Sequence, residues 1–87
     1  MLELQAIFKG RIQGVGFRAA ACRMAGHLKL VGFVSNLPDG SVKLLAQGQE
    51  KELKLLIYQL KQKFIVSTVK ECLGPIEIGY KNFEIKN

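Results

Sequence analysis

Histidine occurs once in this sequence, at His27, and no serine, cysteine or carboxylate has the histidine partner that a hydrolytic triad or a metal site would need. Cysteine occurs twice, at Cys22 and Cys72. That is too few for a disulfide framework, and the pair lacks the close spacing of a zinc site; both are expected to be buried, reduced thiols. Acidic residues are scarce: seven Asp and Glu stand against 13 Lys and Arg, for a net charge of +6. The excess either favours anionic partners such as nucleic acid, phosphate esters or acidic membrane surfaces, or serves solubility alone. No apolar run approaches the ~20 residues of a membrane span. The opening MLELQAIFKG has no basic segment ahead of an apolar one. A cytoplasmic protein without membrane attachment is expected. Repeats, low-complexity tracts and linkers are missing too, so the 87 residues are read as one domain, residues 1–87.

What is present is a succession of clear periodicities. Leu2, Leu4, Ala6 and Phe8 alternate with Glu3 and Gln5, as in a strand with one buried face. Arg18 to about Leu28 reads as a helix with Ala21, Met24, Ala25 and Leu28 toward the core. Leu30–Asn36 is short, β-branched and aromatic, and LPDG (Leu37–Gly40) after it is a turn. Val42, Leu44 and Ala46 alternate with polar Ser41, Lys43 and Gln47, which predicts a third strand in a hairpin with the second. GQEKELKLLIYQLKQKF is the strongest helix, with Leu53, Leu56, Ile57, Leu60 and Phe64 in one stripe and Glu50 and Glu52 at its start. A fourth strand is expected within Ile65–Leu73, and Phe83 and Ile85 alternate in a short closing strand. The order β-α-β-β-α-β is the α+β ferredoxin-like plan, with two helices on one face of a four- to five-stranded antiparallel sheet in the order 4-1-3-2. In that plan the ends of strands one and two lie on the same edge, about 10 Å apart. The segment leaving strand one therefore lies within reach of Asn36.

That segment is GRIQGVGFR (Gly10–Arg18). Its glycines either make a tight turn or let successive amides face inward as an anion-binding nest, with Arg18 as a charged fork at a helix N-terminus. GVGFRA matches a dinucleotide fingerprint, but the acid 20 residues on, Asp39, lies in the LPDG turn and the chain is too short for a doubly wound fold. A Walker loop would end in Gly-Lys-Ser/Thr, and this one ends in Gly-Phe-Arg. GFV (Gly32–Val34) matches part of the RNA-recognition octapeptide, yet it falls on strand two, and strand three has no aromatic residue to stack a base.

GRIQGVGFR, with GFVSNLPDGSV (Gly32–Val42) after it, resembles the acylphosphatase family, at the family's order, spacing and chain length, and FEI (Phe83–Ile85) resembles its closing strand. The resemblance is weakest from about Lys63 to Lys81. It implies a metal-independent hydrolase, without cofactor or phosphoenzyme, that splits acyl phosphates into a carboxylate and inorganic phosphate. By position in the motif, Arg18 and Asn36 would be catalytic, Arg18 on the phosphate and Asn36 on the attacking water. Gln13, Gly14, Val15, Gly16, Phe17 and Arg18 would form the substrate cradle. The implied partners are an acyl phosphate and inorganic phosphate, with neither membrane nor nucleic acid, and the chain is expected to act as a monomer. Lys29 stands where many relatives have a left-handed glycine; either the exchange costs about 1 kcal/mol or the helix ends differently.

Overall fold

The computed structural model describes residues 1–86. The elements run β1 (Leu2–Arg11), α1 (Phe17–His27), β2 (Val31–Asn36), β3 (Val42–Gly48), α2 (Glu50–Lys63), β4 (Ile65–Gly74) and β5 (Phe83–Lys86). They form one sheet in the order β4-β1-β3-β2-β5. This is the expected plan with its closing strand added beside β2. That last pairing is parallel, so the sheet is mixed, while the other three pairings are antiparallel as expected.

Alternation builds the core. In the register, Leu4, Ala6 and Phe8 of β1 sit opposite Ala46, Leu44 and Val42 of β3, and Val34 of β2 sits opposite Leu44. All are buried, and they share one cluster with Phe17, Ala21 and Ala25 of α1 and with Leu53, Leu56, Ile57 and Leu60 of α2. Phe8, Phe17 and Phe64 stack edge to face, with successive ring centroids 5.0 Å apart. The α2 stripe falls where its period placed it, with Phe64 just past the helix and partly buried. The α1 stripe is shifted toward the N-terminus: Phe17, Ala20, Ala21 and Ala25 are buried, and Met24 and Leu28 only partly so. Small alanines let the start of α1 lie close on the sheet, so the end nearest the glycine loop is the better buried.

Three further expectations change. β1 continues past Phe8 to Arg11 through a register shift between Lys9 and Gly10 in its pairing with β4. Gln47 faces away from the helices and yet is buried, because the segment before β5 folds over it. Its amide nitrogen donates to Glu3 Oε1 at 2.9 Å and to the Ile78 carbonyl at 2.6 Å, and its oxygen accepts from the Tyr80 N–H at 3.1 Å. Both cysteines are free, but Cys22 is only half-buried, with its thiol donating to the Phe83 carbonyl, and Cys72 is exposed on the edge strand β4.

Lys29 does occupy a left-handed conformation, with φ 58°. The Leu30 N–H reaches the Ala25 carbonyl at 2.9 Å and the Lys29 N–H reaches Gly26 at 3.2 Å, the paired bonds of a Schellman cap.

Candidate active site

At one end of the sheet the register places Phe8, Val42 and Asn36 in a single row across β1, β3 and β2. Cross-strand partners point to the same face, so the Asn36 side chain projects to the helix side, as Phe8 and Val42 do. The loop from β1 to α1 brings Gly14, Gly16 and Arg18 to the same place. Together with Ile12, Phe17, Ala19, Asn36 and Ile85 these residues line a cleft of about 180 Å³.

The loop's backbone shape depends on its glycines. Gly14 has φ 79° and Gly16 has φ 83°, and a Cβ added at either would meet nothing within 4 Å. What glycine supplies there is the left-handed backbone rather than room for a close neighbour. Gly16 is the N-cap of α1. No side chain caps this helix and its first turn holds no acidic residue. The first amides of α1, with the partial positive charge they carry, thus face the cleft with no acidic side chain in that turn to meet them. Arg18, half-buried in that first turn, adds a full positive charge.

Asn36 closes the opposite wall. Its Oδ1 is buried and has no hydrogen-bond partner among the described residues. A buried carbonyl oxygen of this kind lacks an interaction worth about 1–3 kcal/mol until a donor arrives. The turn after it is rigid: Asp39 Oδ1 accepts from both the N–H and the hydroxyl of Ser41. Those two bonds hold the Asp39 carboxyl below its ordinary range.

Of the residues that sequence pointed to, Gly14, Gly16, Phe17, Arg18 and Asn36 line the cleft. Gln13 and Val15 are not among the lining residues. Val15 is 55% exposed at the loop's tip, and Gln13 directs its amide to the carbonyls of Leu37 and Ser41. Sequence missed Ile85, whose strand was visible but whose place beside β2 was not. It also missed Ile12, which the extended β1 carries to the cleft floor. Among the described residues, no three His, Cys, Asp or Glu side chains gather as a metal site would require, and no helix is long and apolar enough to cross a membrane.

A family model described as acylphosphatase matches residues 4–85. The acylphosphatase of Thermus thermophilus is 41% identical over 87 residues, spanning 98% of this chain and 99% of that one. That of Picrophilus torridus is 44% identical over 80 residues, spanning 92% of this chain and 96% of its own length. The crystal structure of the acylphosphatase from Bacillus subtilis superposes with a TM-score of 0.94 over the whole of both chains, at 34% identity.

Proposed function

The chain belongs to the acylphosphatase family of hydrolases, and from that premise we propose how its own residues carry the reaction. The substrate is an acyl phosphate. Its phosphoryl oxygens lie against the backbone amides from Gly14 to Arg18 and against the Arg18 guanidinium. Asn36 Oδ1 accepts a hydrogen bond from a water and so aims that water's oxygen at phosphorus. A P–O bond forms to the water as the bond to the acyl oxygen breaks. The electron pair leaves with the carboxylate, and the water's proton passes to a phosphoryl oxygen. Products are the free carboxylate and inorganic phosphate.

Phosphoryl transfer of this kind spreads negative charge over the phosphoryl oxygens, so positioning and fixed positive potential do most of the catalysis. A loop of preset amides beside an arginine meets that charge without reorganising. A carboxylate is a good leaving group, so the reaction does not demand a strong general acid. We extend the reading to metal-independent turnover by a monomer in the cytoplasm, a compartment that suits two free thiols. The positive net charge would help to draw in the anionic substrate.

The observation that carries the proposal is the buried, unpartnered Asn36 Oδ1 in the same cleft as Arg18 and the two left-handed glycines. Hydrolysis of benzoyl phosphate, with chelator present, tests it. Arg18→Ala is expected to lower turnover about 10³-fold and Asn36→Ala about 10²-fold, with circular dichroism unchanged in both. A folded native chain that binds inorganic phosphate without turning over benzoyl phosphate would reduce the site to a binding module.

A further inference from the structure

Gln13 immediately precedes the glycine cradle and is exposed, yet its side chain is tied down twice. The amide nitrogen donates to the Leu37 carbonyl at 3.0 Å and to the Ser41 carbonyl at 2.9 Å. These carbonyls stand at the two ends of the turn that comes after Asn36. Each already accepts one bond inside the turn: Ser41 from the Leu37 N–H at 2.8 Å, and Leu37 from the Gly40 N–H at 3.1 Å. Asp39 braces the turn from within through the Ser41 N–H and hydroxyl. The turn is therefore a small closed unit, with Asn36 at its root.

The sheet itself does not fix this unit against the cradle. The β1–β3 pairing ends at Phe8 opposite Val42, and the β2–β3 pairing ends at Asn36 opposite the same Val42. Beyond that row β1 runs on, paired with β4 alone, and the loop from Gln13 to Gly16 projects past the last rung shared with β2. The Gln13 amide bridges that gap from the residue before Gly14 to the residue after Asn36.

We infer that Gln13 is a positioning residue for the hydrolysis, whose amide holds the phosphate cradle and the Asn36 side chain at a fixed separation. The inference rests on the proposed roles of Arg18 and Asn36. It moves Gln13 from contact with the substrate to control over where the attacking water stands relative to phosphorus. Misplacement of a reacting group by about 1 Å costs about 10²-fold in rate, whereas phosphate binding to the amides and Arg18 needs no help from the turn.

The test is a double-mutant cycle on benzoyl phosphate hydrolysis. Gln13→Met removes both donors at similar length without adding charge. It is expected to lower kcat by about 10- to 100-fold, with KM and the inhibition constant for inorganic phosphate within about twofold of native and circular dichroism unchanged. In an Asn36→Ala background the same change is expected to lower kcat by less than about twofold, because the group being positioned is gone. Gln13→Lys, which can still donate to both carbonyls, is expected to retain more kcat than Gln13→Met. If Gln13→Met does not fold, Gln13→Asn, one methylene short of the bridge, enters the same cycle.

A native kcat in the donor-less variant overturns the inference. So does a loss that multiplies fully with Asn36→Ala, or one confined to KM and phosphate inhibition. These outcomes differ from failure of the underlying reading, which would appear as a folded native chain without turnover or as Asn36→Ala with native kcat.

Discussion

Helix α1 starts after a left-handed glycine, with no side-chain cap and no acid in its first turn. Helix α2 starts after Gln49 in an extended conformation, with Glu50 and Glu52 in its first turn and Lys61 and Lys63 in its last. Glu50 is held in addition by Lys54 at 2.8 Å, one turn on. The second helix complements its own dipole and gains stability from doing so. The first has no acid in its first turn and faces its positive end into a cleft with Arg18. The contrast teaches that the same backbone feature serves stability at one place and ligand binding at another, and the neighbouring side chains decide which.

Grafting the feature of α2 onto α1 should break the contrast with the largest effect. Ala19 lies at the third position of α1, exposed and on the cleft wall. Ala19→Glu places a carboxylate where it can reach back to the N-cap amide. The helix should lose no stability and gain up to about 1 kcal/mol. Inhibition by inorganic phosphate and kcat/KM for benzoyl phosphate should both weaken by about two decades, because the new charge repels the anion across a few ångströms of protein. Thermal unfolding and steady-state kinetics on one preparation measure both. A variant that is stabilised and fully active would mean that the anion does not bind at this helix end.

Gly16→Ala attacks the same end through its backbone. Nothing stands within 4 Å of the added methyl, so the cost is conformational, about 1–2 kcal/mol for a left-handed alanine. If the chain relaxes to relieve it, the amides turn away and phosphate inhibition weakens as well. The counterpart at the other helix is Gln49→Ser, which supplies the side-chain cap that α2 lacks. It should raise stability by about 0.5–1 kcal/mol in chemical denaturation and leave turnover unchanged. A change in turnover there would show that the two helix ends are not independent.

How much of this was legible beforehand depends on the range of each interaction. The α2 stripe and the β1 alternation were readable because each is a local pattern with one buried face. The meeting of Arg18 and Asn36 was readable because the topology alone brings the ends of β1 and β2 to one edge. Gln47 reads as solvent-facing in β3, since its cover comes from Ile78 and Tyr80 some thirty residues later. Ile85 was invisible as a wall of the cleft for the same reason: only the parallel pairing of β5 with β2 puts it beside Asn36. Gln13 was found as part of the loop, but the direction of its amide depends on two carbonyls from another segment. Non-local pairing, not weak periodicity, set the limit.

The smallest effect is expected in the turn behind Asn36, and its sign is set by Asp39. Hydrogen bonds from the Ser41 hydroxyl and then the Ser41 N–H lower the Asp39 pKa from its ordinary 3.8. A carboxylate whose folded pKa is depressed contributes stability that is fully present above the unfolded value and is lost as pH falls through the folded one. The difference in unfolding midpoint between the native chain and Asp39→Ala should therefore be constant from neutral pH down to about 5 and shrink below 3.8. It should be small throughout, because the carboxylate is exposed and water competes for its bonds. Turnover should respond less than it does to any change at the α1 end, since Gln13 still grips the carbonyls of Leu37 and Ser41 when Asp39 is gone. A loss of kcat/KM as large as that of Ala19→Glu would reverse the ranking and make the turn, not the helix end, the more demanding wall of the cleft.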